Sequence, residues 1–396
     1  MSKPLEGIKI LDLSRILAGP YATMLLRELG AEIIKVERPG DGDDARYYGP
    51  FKNGQSVYFI SINRGKKSIT INLKSPEGIK IIKEMVTEFD ILIENFRPGT
   101  MEKLGIGYDI LKEINPKLIY AATSGFGHTG PESHKPAYDM LVQAMGGMIS
   151  ITGWENMPPT RVGMSIGDIG TALFTSIGIN AALYQREKTG VGQKVDIAML
   201  DCQIALLENA LVRYQVDGKP PQPVGNRHPT ITPFQAFKAK DKYFVLALGN
   251  DNLWKKFCNV FGREDLLTDE RFLTNDERTK NRKIIIPILE KIFIEKKAIE
   301  WTEFFDSHGI PSGPINSMDK VIENKQLQSR NMFVEVNDEK AGKIKIAGNP
   351  IKMSTIPEEI TRQTSPKIGE HTNEILRKYL GFDEEKIKQL KDDGVI

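Results

Sequence analysis

The feature that most constrains this sequence is an alternation: over the first 125 residues, short β-rich runs take turns with helical patterns. Ile8–Leu13 reads as a strand, followed by a Gly19-Pro20 turn and a helical stretch from Tyr21 to Leu29. Ala31–Glu37 and Ser68–Leu73 are the next strands. Ser75, Pro76 and Glu77 start a helix that runs to Phe89, with proline pre-set for the first turn. Asp90–Asn95 and Lys117–Ser124 complete the series. Strand, helix, strand at this spacing predicts a parallel, doubly wound sheet, because parallel neighbours need a crossover that a helix supplies.

Such a sheet collects ligands beyond the carboxyl ends of its strands. The predicted ends carry polar residues there: Ser14 and Arg15, Glu37 and Arg38, Asn72, Asn95 to Arg97, and Ser124. Arg38, Arg97, Arg64, Lys66, Lys67 and Lys103 are expected to gather around one polyanion. Any one of them alone is more simply a solvated loop cation. The chain as a whole offers no such attraction. Its 54 basic and 52 acidic side chains leave a net charge of +2, which argues against nucleic acid or an anionic membrane as partner. A bound anion must therefore be met by locally placed cations.

Asp168–Glu187 and Asp201–Gln215 read as long helices, with a strand at Lys194–Met199 between them. The apolar stretches Ile169–Leu183 and Ile197–Leu211 are interrupted by polar residues, short of the roughly 20 apolar residues of a spanning helix, and read as buried helices. The opening MSKPLEGIKILDLS has neither the apolar core nor the cleavage site of a signal peptide. The two cysteines, Cys202 and Cys258, exclude a disulfide scaffold and a cysteine zinc site and fit a reducing compartment. A cytoplasmic protein is expected. Residues 217–230 form a Pro/Gly-rich connection, and Thr232–Leu248 alternates like a hairpin turning at Asp241-Lys242. Amphipathic helices follow through Phe305, and the chain returns through short strands at Phe333–Val336 and Lys343–Ile346. The expected organisation is a large Rossmann-like α/β domain, residues 1–224 and 331–396, with a smaller α+β domain at 225–330.

The chemistry centres on Asp168, a lone carboxylate bracketed by Gly163, Gly167 and Gly170 where a long helix begins. One reading is a helix cap, for which Asp is a preferred residue. The other is a catalyst: glycines let a substrate approach the backbone, and helix-start N–H groups favour an ionised carboxylate. The residues alone leave both open. Tyr138, after a loop containing His134 and Lys135, could donate a hydrogen bond to a developing oxyanion; packing at a helix start is the simpler role. The histidines at 128, 134, 228, 308 and 371 show no paired ligand spacing, so no metal site is expected. Arg227 beside His228 could bind a carboxylate. No GxGxxG follows the first strand, and neither a Walker A motif nor a GxSxG elbow occurs.

Together these motifs resemble those of the family III CoA-transferases, which include formyl-CoA, carnitine, bile-acid-inducible and succinyl-CoA-dependent members. The resemblance rests on Leu11–Pro20, Gly30–Gly40, Asn63–Ser68, Glu94–Gly99, Ser124–Gly127, the Asp168 segment, Lys188–Val195 and Gly369–Thr372, in that order. It implies that Asp168 is the nucleophile, attacking an acyl-CoA thioester and passing through an aspartyl-CoA thioester. It further implies that coenzyme A, as the acyl-CoA substrate, contacts Ile16, Ala18, Arg38, Leu73, Asn95, Phe96 and Lys103. Lys135 is also implied, with the loop before Tyr138 shifted by one residue. Similar members are interlocked homodimers. Two departures concern the substrate: Leu248–Leu253 (LGNDNL) lacks the glycine-rich loop of formyl-CoA transferases, and Leu17 replaces their glutamine. A dicarboxylic, hydroxy or carnitine-like acid is therefore expected rather than oxalate.

Three competing readings bear on the same residues. An α-methylacyl-CoA racemase pairs its aspartate with a histidine roughly where Tyr138 stands, and tyrosine, with an ordinary pKa of about 10, is a poor base at neutral pH. A nicotinamide-dependent oxidoreductase would need the missing glycine fingerprint. A CoA-binding protein without catalysis would have no use for Asp168.

Overall fold

A computed structural model describes residues 2–396. Within them, six strands form one parallel sheet: β1 (Lys9–Asp12), β2 (Glu32–Glu37), β3 (Lys67–Thr70), β4 (Ile91–Glu94), β5 (Ile119–Ser124) and β6 (Lys194–Ala198). Their spatial order is β3-β2-β1-β4-β5-β6. Leu11 of β1 lies opposite Ile34 of β2 on one side and Leu92 of β4 on the other. The central strands are covered on both faces, which is why they read as near-continuous apolar runs rather than alternating ones. Ile10, Ile33, Ile91, Ile93 and Ile119 pack on the face covered by α1 (Ala18–Glu28) and the later helix Ile166–Thr189. Leu11, Ile34, Ile69, Leu92 and Tyr120 point to the opposite face, against α2 (Pro76–Val86) and the C-terminal helices carrying Ile375, Leu376, Ile387 and Leu390.

The chain divides into two units. One runs to Met148 and includes Arg161–Gln215 and Lys325–Ile396; the other comprises Ile149–Thr160 and Val216–Asn324. The second has a three-stranded antiparallel sheet, Ser312–Pro314, Tyr243–Ala247 and Phe234–Lys238, over an aromatic core. There Phe244 meets Phe293 edge to face at 5.3 Å.

In the first unit, α3 (Asp139–Met145) and α4 (Ile166–Thr189) lie in the chain between β5 and β6, and α5 (Met199–Leu206) and α6 (Asn209–Asp217) follow. The expected single helix Asp201–Gln215 is thus two. It breaks at Glu208, whose φ of +51° is left-handed and cannot continue a right-handed helix. By length and composition α4 is apolar enough to cross a membrane. Here one face, including Ala172, Ile179 and Leu183, is buried, and Ser176 bonds to the Ala22 carbonyl of α1. Leu173, Ile177 and Tyr184 remain exposed.

Candidate active site

The strand order reverses between β1 and β4, so the loops leaving these two strands diverge and open a crevice at their carboxyl ends. Two side-chain hydrogen bonds span that point: Asn95, just after β4, accepts the Arg15 N–H and donates to the Arg15 carbonyl, both at 2.8 Å. Around this clasp lie two cavities that share Arg15 and Phe96. The smaller, about 210 Å³, is lined by Ile16 to Ala18 after β1, Asn95 to Pro98 after β4, Ser124 at the end of β5 and Met199 after β6. Lys135, Tyr138 and Asp168 complete it. The larger, about 510 Å³, draws on Arg38 after β2 and Leu73 after β3. All six strands therefore feed one lip of the sheet.

Asp168 stands in the smaller cavity as the third residue of α4, half-buried. Ser165 occupies the cap position, so the cap reading of Asp168 gives way to a carboxylate within the first turn of the helix. The start itself is held by Asp139, whose Oδ1 accepts the Gly167 N–H at 2.8 Å. Gln143 donates to the other Asp139 oxygen at 2.8 Å and accepts the Val162 N–H at 3.0 Å, tying the preceding loop to α3. A side chain at Gly167 would press on Val142 and Asp139, so this contact requires glycine. Burial first, and the Asp139 charge second, push Asp168 up to about 7. Burial together with the Asp168 charge also raises Tyr58, so its hydroxyl stays a donor. Tyr138 is 72% exposed and begins α3 from the cap position, which rules out the packed role.

The other expected residues separate into two groups. Ile16, Ala18, Asn95, Phe96 and Lys135 share the Asp168 cavity, and Arg38, Leu73 and Phe96 line its neighbour. Lys103 lies on the exposed side of the short helix Thr100–Lys103; its neighbours Thr100 and Leu104 do the lining. The expected gathering of cations is smaller than its six members. Arg64, Lys66 and Lys67 precede or open β3 and so belong to its amino end. Arg64 pairs with Glu28 at 2.8 Å, and Lys67 with Glu374 at 2.7 Å. Lys66 is fully buried against Asp12 at 3.2 Å. Arg38 keeps a surface pair with Asp44 at 2.6 Å. In the other unit, Arg227 donates to the Val224 carbonyl and His228 stacks on Phe234. Among the described residues no three His, Cys, Asp or Glu side chains gather as a metal-binding group.

Sequence reasoning assigned no role to Asp139, Gln143 or the Lys35–Asp43 pair. Lys35 carried a signal: a lysine in the middle of Glu32-Ile-Ile-Lys-Val-Glu37, a buried strand, must have a buried partner. That partner is Asp43, 2.7 Å away, which also accepts the Ile16 N–H. Ile16 itself has a φ of +67°. For a β-branched residue this conformation is a strained one, costing on the order of 1–3 kcal/mol.

A parallel sheet with a half-buried carboxylate at its switch-point crevice, beside a cavity lined by Arg38, is the architecture of an α/β protein with its site at the strand ends. The chain belongs to CoA-transferase family III, whose model matches residues 5–372, and it is a CoA-transferase. It is similar to the acetyl-CoA:oxalate CoA-transferase of Acetobacter aceti, with 44% identity over 97% of each chain. It is also similar to the succinyl-CoA:glutarate CoA-transferase of Mus musculus, with 42% identity over 100% of this chain and 90% of that one. Among solved structures, a CaiB/BaiF family protein from Brucella suis superposes with a TM-score of 0.83 at 38% identity, covering 96% of this chain and 100% of that one.

Proposed function

We propose that this CoA-transferase works through an aspartyl-CoA thioester on Asp168 and accepts a dicarboxylic acid. The observation that carries the first half is the place of Asp168: it lines the cavity at the carboxyl lip, and a neighbouring cavity offers Arg38 and Phe96 to the cofactor end of the substrate. The ionised carboxylate attacks the thioester carbonyl; a C–O bond forms, the C–S bond breaks, and CoA thiolate leaves behind a mixed anhydride. The thiolate then attacks the aspartyl carbonyl carbon, forming aspartyl-CoA and expelling the donor as a free carboxylate. The acceptor carboxylate reverses both steps. Dividing the exchange into covalent half-steps conserves the thioester's free energy. A pKa of about 7 leaves a substantial ionised fraction at neutral pH and makes that fraction a more basic nucleophile. In this reading the exposed Tyr138 hydroxyl donates to the developing oxyanion.

A dicarboxylate as acceptor is supported by Leu17 at the cavity wall and by Arg97, a cation facing the same cavity, where Arg15 and Lys135 already pair with Asp44 and Glu132. Similarity to the mouse succinyl-CoA:glutarate enzyme points the same way. Similarity to the Acetobacter aceti enzyme favours oxalate as a second reading. The exposed apolar residues Leu173, Ile177 and Tyr184 on α4, with Leu211 and Val212 on α6, support a homodimer. A cytoplasmic setting suits the CoA pool.

The test is mass spectrometry after incubation with succinyl-CoA, with and without hydroxylamine. Label on Asp168 that hydroxylamine removes is the expected result. A chain that transfers CoA while Asp168 stays unlabelled, or an Asp168→Ala variant with full activity, overturns the mechanism. Glutarate, succinate and oxalate compared as acceptors decide the substrate.

A further inference from the structure

The loop that carries β1 into α1 is held by buried charge rather than by a glycine. Lys35, in mid-strand, and Asp43 are withdrawn from solvent, their side chains 0% and 1% exposed, and they meet at 2.7 Å. Lys35 Nζ also donates to the Ser14 carbonyl at 2.9 Å. Asp43 Oδ1 accepts the Ile16 N–H at 3.1 Å and the Ala45 N–H at 2.9 Å. The intervening Arg15 has both backbone groups taken by Asn95. Ser14, Arg15 and Ile16 are thus each gripped from a different segment, and Ile16 is left with its φ of +67°. Other non-glycine residues with positive φ include Asn53, Asn156 and Asn331, a residue type that tolerates that region. Isoleucine does not. A buried ion pair contributes little net stability once its desolvation is counted, so its use here is geometric.

We propose that the buried Lys35–Asp43 pair is a positioning device for CoA transfer: it holds Ile16 left-handed and thereby fixes the Ile16–Ala18 wall against which the thioester is presented to Asp168. This rests on the reading of Asp168 as nucleophile. Lys35 and Asp43 touch no substrate; they act through Ile16. The arrangement makes a specific demand. A glycine at position 16 reaches the same conformation unaided, so the pair should matter only while isoleucine is there.

Because Asp43→Ala alone strands a buried lysine and risks unfolding, the test uses Lys35→Met with Asp43→Ala, which also removes the acceptor of the Ile16 N–H, made in the native chain and again in Ile16→Gly. Kinetics with succinyl-CoA and glutarate are measured alongside amide hydrogen exchange over residues 14–18. In the native background, removing the pair should lower kcat about 10- to 100-fold, as expected for a misplaced reacting group, while KM for succinyl-CoA moves less than about threefold. Exchange at Ile16 should rise at least about tenfold while the core strands stay protected. In the Ile16→Gly background the further loss of kcat should be under about threefold. Equal losses in both backgrounds, or unchanged exchange at Ile16, overturn the proposal. Hydroxylamine-sensitive labelling of Asp168 in the native chain is run in parallel; its absence would fault the nucleophile instead, while the exchange result still judges the clamp.

Discussion

Asp139 holds the peptide next to Asp168 while repelling its charge: the Asp139 carboxylate accepts the Gly167 N–H at 2.8 Å and also raises the Asp168 pKa. An anion that anchors the helix start cannot swing away when its neighbour ionises. Asp168 is thereby both placed and made more basic, although burial is the larger cause of the shift.

Asp139→Asn separates these two effects. The amide oxygen still accepts from Gly167, but the negative charge is gone. In the proposed mechanism Asp168 reacts as carboxylate, so activity should rise with pH through about 7 in the native enzyme. In the variant the midpoint of that rise should move to lower pH, read from kcat/KM profiles. A midpoint that stays in place would mean burial alone sets it.

The same shift has a consequence for stability. The folded-state pKa of Asp168, about 7, lies above the ordinary 3.8, so the neutral form is the one the fold prefers. Its stabilising contribution is complete below the unfolded value and is lost as pH rises through the folded one. Asp168→Asn, which cannot ionise, should therefore melt a few degrees above the native protein at about pH 8, the gap narrowing towards about pH 5. Thermal melts across that range check it, and the variant should lose roughly a thousandfold or more in kcat.

Arg38→Ala should weaken substrate capture without disturbing the chemistry. Arg38 lines the larger cavity, away from Asp168. A rise in KM for succinyl-CoA of about 3- to 10-fold is expected, with kcat within about twofold. As a half-exposed charge its contribution should shrink in high salt.

Asn95→Ala removes the clasp across the switch point. It leaves the Arg15 N–H and carbonyl without the partners they have now. Leaving such groups unpaired costs about 1–3 kcal/mol, and a denaturant melt should show a loss of that size. KM for succinyl-CoA should rise as well, because Arg15 and Phe96 wall both cavities.

The parallel sheet was legible because its strands, buried on both faces, concentrate isoleucine and leucine between turn residues, as in Glu32–Glu37 and Ile91–Glu94. Its strand ends also announced the lip where Arg38 and Asn95 lie. Arg64, Lys66 and Lys67 were misassigned although they precede the expected strand Ser68–Leu73, because only the residues that follow a strand reach this lip. The break at Glu208 was hidden because a single charged residue in a helical pattern does not announce a left-handed backbone. Asp139 was invisible as a partner of Asp168, since the Gly167 contact depends on how the loop between two helices folds back.

Asp168, the proposed nucleophile, sits on α4, part of the connection between β5 and β6, whereas much of the pocket around it comes from loops that leave strand ends. Those two kinds of position age differently. A loop such as Ile16–Ala18 or Asn95–Pro98 can trade side chains one at a time and so retune which acid is accepted. Moving Asp168 would mean re-threading the link between two strands. Diversification in such a scaffold is channelled: the reaction is inherited with the topology, and the choice of acid is left to the lip.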